Sequence, residues 1–185
     1  MKQYRNSERT KRWIRKAFSE LISEKGTIAK ITVNELVEHA DITKTTFYYH
    51  YDDLYAVAEE FENELIEKLN ATLNEIIIEN PTDYSNYIKK ILLFIKTNEE
   101  SYRLVVNASE IPFFASKLKS TFSKRMAGMT ALWGFSQDGE KRTIQVNFLI
   151  NACVDTMIQY LKGDLNSSID LVGEVIIEAI DKLRK

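Results

Sequence analysis

Apolar residues in this 185-residue chain recur at spacings of three and four along almost its whole length, with no sustained alternation of two. Residues three and four apart share one face of a helix, whereas alternate residues share one face of a strand. The chain is therefore read as all-α. From Glu8 to Lys25 one stripe holds Trp13, Ile14, Ala17, Phe18, Leu21 and Ile22, and Gly26 ends it with a left-handed, Schellman-type stop. Asp52 or Asp53 caps a long helix whose stripe runs from Leu54 through Ala58, Phe61, Leu65, Leu69 and Leu73 to Ile76. It stops at Asn80-Pro81, since proline cannot continue a helix and disfavours helix in the residue before it. A helix over about Asp83 to Thr97 turns Tyr84, Ile88, Ile91, Leu92 and Ile95 inward; a short one follows from Glu99 to Val106, and another starts near Pro112. Residues 140–162 are apolar nearly all round and stop at Gly163, and Ser167 caps a final apolar helix. A helix apolar on more than one face needs cover on more than one face. The core supplies one side of these two helices and a second copy of the chain supplies the other.

Between the first and the long helix lie two short ones. Thr32 and Glu35 form a Thr-x-x-Glu capping box, which satisfies two orphan amides at a helix start. Val33, Leu36, Val37 and Ala40 share a face of the helix that follows. Ala40-Asp41-Ile42 breaks the pattern, with Asp41 taking the left-handed turn position, and Thr43 caps a helix from Lys44 to about Tyr51. Two short helices joined by such a turn, behind a longer basic helix, are a helix-turn-helix, whose second helix enters the DNA major groove. The run Phe47 to Tyr51 then divides in two. Phe47 and Tyr51, four apart, face the first helix; Tyr48, Tyr49 and His50 face away with Lys44 and Thr45. Phenol O–H and imidazole N–H groups donate to phosphate. Lys44 donates to guanine or to phosphate, and a threonine methyl can meet a thymine methyl. Stacking of the tyrosines on single-stranded bases is the rival use, but the strand pattern of an OB or RRM fold is missing.

Charge divides the chain the same way. Residues 1–51 hold ten Lys/Arg against six Asp/Glu, a net of +4; residues 52–185 hold fifteen against twenty-one, a net of −6. A polyanionic partner is expected for the first part only. The lone Cys153 can form no intrachain disulfide, no apolar run reaches the roughly 20 residues that span a bilayer, and the first residues have no signal-peptide character, so a cytoplasmic protein is expected. His39 and His50 with one cysteine have no metal-ligand spacing, and no catalytic constellation can be assembled, so neither a cofactor, a metal nor an enzymatic activity is expected.

The frame of a first helix ending at Glu24-Lys25-Gly26, followed by "ITVNELVEHADITKTTFYYHYDDL", resembles the DNA-binding domain of TetR-family transcriptional regulators over about residues 7–58. The resemblance implies an N-terminal helix-turn-helix domain, residues 1–52, and a C-terminal helical domain for effector binding and dimerisation, residues 53–185. It implies a homodimeric repressor that binds a palindromic duplex and is modulated by a small molecule. The alternative is a dimeric DNA-binding protein controlled by a protein partner, with no small-molecule pocket. By position, Thr43, Lys44 and Thr45 match the start of the recognition helix; Thr46, Tyr48 and His50 match phosphate-contacting positions; Tyr49 matches one that reaches bases or backbone; Thr32 matches the cap of the supporting helix. The chain departs from the pattern at Asp41, where glycine is usual, and at Leu54, where many members carry a phosphate-binding lysine. Lys2, Arg5, Arg9 and Arg12 are expected to compensate. The pocket implied for the second domain would be lined by Tyr102, Phe114, Phe122, Met126, Trp133 and Met157. Asn147, Asn151 and Asp155, four apart on an otherwise apolar helix, would bond a ligand or the partner subunit, or face solvent.

Overall fold

The computed structural model describes residues 2–79, 82–107, 113–127, 129 and 133–184. Among them the regular structure is helical: α1 (Lys2–Lys25), a single 3-10 turn (Ile28–Lys30), α2 (Val33–His39), α3 (Lys44–His50), α4 (Leu54–Glu79), α5 (Tyr84–Thr97), α6 (Glu99–Asn107), α7 (Phe113–Met126), α8 (Gly139–Lys162) and α9 (Ile169–Leu183). No described helix is long and apolar enough to cross a membrane. The chain forms two compact units, one of Met1–Glu64 with Leu104–Pro112, the other of Leu65–Arg103 with Phe113–Lys185.

In the first unit α1 buries Ile14, Ala17, Phe18, Leu21 and Ile22 against Leu36 and Val37 of α2, Phe47 of α3 and the first turns of α4. Phe18 meets Phe61 of α4 with ring centroids 5.9 Å apart. Three expectations are corrected here. Helix α1 begins at Lys2 rather than Glu8. Trp13 leaves the stripe: it is 44 % exposed, with the Arg9 guanidinium 4.8 Å from its ring centre. A tryptophan over which an arginine packs is partly covered without entering the core. The α1 end is also simpler than a Schellman stop, since Gly26, at φ +79°, gives one N–H to the Ile22 carbonyl. The Schellman pair of bonds occurs instead at the end of α8, where Gly163 donates to Tyr160 and Asp164 to Gln159.

In the second unit the later turns of α4 bury Leu65, Leu69, Leu73 and Ile76, and α5, α7, α8 and α9 complete the core. Tyr87, not Tyr84, is the buried aromatic of α5. Tyr84 is half-buried instead, its hydroxyl donating to Asp181 of α9 and the Arg184 guanidinium covering its ring. Gly173 lets α9 approach α5, since a Cβ there would come within 2.2 Å of a Leu92 methyl. The cap of α9 is Ser168, which accepts the Leu171 N–H at 3.2 Å, rather than Ser167. Adjacent serines offer the same cap chemistry, and only the register of the helix chooses between them. Asp53 caps α4 by accepting the Ala56 N–H at 2.8 Å. Asn80 and Pro81, expected to end that helix, and Pro112 lie outside the described residues.

Candidate functional site

Local chemistry builds the supporting helix. Thr32 accepts the Glu35 N–H, and Glu35 takes the Thr32 N–H at 2.9 Å and the Thr32 hydroxyl at 3.0 Å, so the capping box is closed. Lys25, from the end of α1, reaches the same carboxylate at 2.6 Å. That ammonium, and then the two Thr32 bonds, hold the Glu35 carboxyl down at about 2 from an ordinary 4.5. A carboxyl whose folded pKa is depressed stabilises the fold above its unfolded pKa and loses that contribution as pH falls through the folded value. We expect the first unit to lose stability between about pH 4.5 and 2, and Glu35→Gln to flatten that part of a pH–stability curve followed by circular dichroism. An unchanged curve would show that the box is not coupled to folding.

The turn that follows is set by Asp41 at φ +52°, the one left-handed non-glycine among the described residues. Its N–H bonds Glu38, and Ile42 bonds Val37, which closes the bend. An L-residue other than glycine is strained in that region, with Asp and Asn the most tolerant. Asp41→Gly should raise stability by up to about 1 kcal/mol, and Asp41→Val should lower it by about 1–2 kcal/mol. Urea midpoints check the order.

Helix α3 starts at Thr43, whose hydroxyl accepts the Thr46 N–H at 3.1 Å and lies 2.9 Å from the Thr46 hydroxyl. Phe47 is fully buried and Tyr51 nearly so. Tyr48 and Tyr49 are 55 % and 74 % exposed, and Lys44 and Thr45 are exposed beside them. His50 is half-buried; burial, then the nearby Lys11 charge, lowers its pKa below 6.5, so at neutral pH it is an uncharged imidazole. The buried end of α3 is tied down by a charged cluster. Lys11 and Arg15 of α1 bond Glu60 of α4 at 3.1 and 2.9 Å, Arg15 also pairs with Glu64, and the Lys11 ammonium sits 5.3 Å from the Tyr51 ring centre. Of the expected duplex-facing residues, the structure thus presents Lys44, Thr45, Tyr48 and Tyr49 on one exposed surface with His50 at its edge. Thr32, Thr43 and Thr46 sit at the helix starts with their hydroxyls engaged in capping. Arg9 and Arg12 lie on α1, Arg9 over Trp13; the side chains of Lys2 and Arg5 lie outside the described residues.

The second unit encloses a cavity of about 100 Å³. Five of the six residues expected to line the pocket do so: Tyr102, Phe122, Met126, Trp133 and Met157. Phe114 is buried against Tyr102, with ring centroids 6.2 Å apart, but does not reach the cavity. Asn147 and Asn151 lie on the outer face of α8, Asn151 donating to the Asn147 carbonyl at 2.7 Å, and with Asp155 they border a shallow groove beside Ile144 and Phe148. Sequence reasoning passed over Leu69 of α4, Tyr87 of α5 and Cys153 of α8, all of which line the cavity. Leu69 was recognised as a core position, which is the signal that would have found it. Among the described residues no group of three metal-ligating side chains occurs.

Comparison with known proteins bears on both units. A TetR-type family model, the transcriptional regulator C-terminal region, matches residues 82–182, more than half of the chain. Among solved structures, a TetR transcriptional regulator from Streptococcus agalactiae 2603V superposes with a TM-score of 0.75 over 100 % of this chain and 99 % of its own, at 18 % identity. No curated protein matches.

Proposed function

The chain belongs to the TetR family of transcriptional regulators, and from that premise we propose that it is a sequence-specific repressor that binds a palindromic duplex as a homodimer. The observation that carries this reading is the division of α3: Phe47 is fully buried while Tyr48 and Tyr49, one and two residues on, are more than half exposed. A chain has little reason to expose two tyrosines beside a lysine and a histidine unless that surface meets a partner. Phosphates and base edges use both the rings and the hydroxyls. Lys44, Thr45, Tyr48, Tyr49 and His50 make the contacts. Thr43 and Thr46 hold the first turn, and Thr32 holds the supporting helix, so their part is to position amides and neighbours. The functional boundary falls between Asp52 and Asp53, where the recognition helix has ended and α4 begins.

The homodimer forms through α8 and α9. Ile144 and Phe148 on one, and Leu171 and Val175 on the other, are large apolar side chains more than half exposed in the single chain. A second copy covers them and brings two reading helices to one duplex, with half-sites about 10–10.5 base pairs apart or a multiple of that. A small-molecule effector occupies the cavity and acts through Leu69, which lies on the same helix that begins directly after the reading head. It works by binding the DNA-competent and the released states with different affinity. The protein acts in the cytoplasm, without membrane attachment and without enzymatic activity of its own. Control by a protein partner is the second reading, favoured by the groove along Asn147, Asn151 and Asp155 beside exposed Phe148.

Selection of bound duplexes from a random pool tests the proposal. Recovered sequences should share two inverted half-sites, and their binding should weaken steeply with salt through counterion release. A recovered pool indistinguishable from the input removes the DNA-binding reading.

A further inference from the structure

The cavity of the second unit offers an occupant nothing to bond to. Among the described residues around it none is charged, and none is an amide or an aliphatic hydroxyl. Tyr87 and Tyr102 line it with their rings, and the space is bounded by almost no polar surface. Their hydroxyl oxygens are buried in the surrounding packing without a hydrogen-bond partner, shut off from that space.

Such walls decide what can enter. A buried water needs two to four polar partners, and an apolar cavity without them stays dry. A polar atom carried in by a guest would give up its bonds to water and gain none in return. A charge would lose far more, with no counter-charge to replace its hydration. An apolar guest leaves water at a gain and recovers the dispersion contacts that an empty space forfeits. The volume, about 100 Å³, is somewhat smaller than the roughly 150 Å³ apolar cavity that admits benzene. Leu92, Phe122, Cys153 and Ile158 line the cavity and are only half-buried, so the way in also runs between apolar side chains.

We infer that the cavity takes a neutral, wholly apolar molecule of about five or six non-hydrogen atoms, held by contact alone and by no hydrogen bond. The inference rests on the effector reading of this cavity and gives that effector its chemical class.

Benzene and pyridine share one ring shape and differ by a ring nitrogen that accepts a hydrogen bond and is uncharged at neutral pH. N-methylpyridinium adds a permanent charge. On the full-length protein, benzene should raise the melting temperature with dose. It should also slow the reaction of Cys153, the chain's single thiol, with a neutral thiol reagent. Pyridine should bind at least roughly tenfold more weakly by both readouts, and N-methylpyridinium should not bind. Val154→Phe adds ring carbons to the wall and should remove the effect of benzene on the melting temperature; Ile150→Phe serves if that variant does not fold. No binding of benzene, binding of pyridine or N-methylpyridinium as tight as that of benzene, or a benzene effect undiminished in the filled variant overturns the inference. So does a fall in pyridine affinity in Tyr87→Phe or Tyr102→Phe, which would show a hydroxyl turned toward the occupant. Duplex binding with saturating benzene separates this result from the effector reading. Benzene that binds with the expected preference but leaves duplex binding unchanged supports the ligand class and removes the effector role. A duplex response confined to polar or charged compounds removes the ligand class and keeps the role.

Discussion

Replacing Lys44, Tyr48 and His50 together by alanine should abolish specific duplex binding and leave the fold intact. The three side chains lie on the outward side of α3, Lys44 exposed, Tyr48 55 % exposed and His50 half-buried at the edge. Alanine is the best helix former, so the seven residues of α3 keep their conformation. The buried anchor Phe47 and the Lys11, Arg15, Glu60 cluster are untouched. Each lost base or phosphate contact costs about 1–3 kcal/mol. In a two-fold dimer every loss occurs twice, so affinity should fall by more than about a thousandfold. The Lys44→Ala change alone should lower the slope of log affinity against log salt by about two, one for each copy. A gel-shift titration at several salt concentrations, with circular dichroism as the fold control, reads all of this. Duplex binding retained by the triple variant would mean that α3 is not the reading element.

Trp133→Ala should have the largest effect on stability of any single change in the second unit. Trp133 is 1 % exposed and packs edge-on against Tyr87 at 5.2 Å and beside Tyr84 at 6.1 Å. Truncation removes its transfer free energy and leaves a void that the neighbours fill only in part. The expected loss is about 3–5 kcal/mol, which for a chain of this length lowers the melting temperature by about 10 °C. Because Trp133 lines an existing cavity, the new void joins it. Indole at millimolar concentration should then restore part of the lost melting temperature in the variant and have no effect on the parent protein. A drop of only a degree or two would mean that this wall collapses inward.

The reading head could be worked out almost entirely from the linear order of residues. Its signals are local. Thr32 and Glu35 close their box within one turn, Asp41 occupies the left-handed position that its side chain tolerates, and Thr43 caps the helix that follows. The four-residue spacing of Phe47 and Tyr51 then decides which aromatics turn inward. Where the reading went astray, a position had two acceptable fates. Trp13 falls within the apolar stripe of α1, yet Arg9 covers it outside the core. Ser167 and Ser168 are equal caps until the register of α9 is known. Apolar spacing reads Tyr84 as inward and not Tyr87, yet Tyr87 is the buried ring, while Tyr84 stays half-buried with its hydroxyl bonded to Asp181, nearly a hundred residues away.

The cavity belongs to another order of information. Its walls come from positions between Leu69 and Ile180, contributed by α4 through α9. Apolar periodicity identifies most of those residues as inward, but inward residues can fill a space or surround one. Asn147 and Asn151 repeat every four residues as a ligand-facing pair would, and the rotation of α8 turns them outward instead. What the amino-acid order determined by itself was the helical class, the helix ends and the two-sided recognition helix, because capping and periodicity act within a turn or two. Which side chains share one cavity, and that two tyrosine hydroxyls there go unpaired, was decided only by the tertiary structure. Packing complementarity depends on how several helices rotate against one another, and no single segment carries that information.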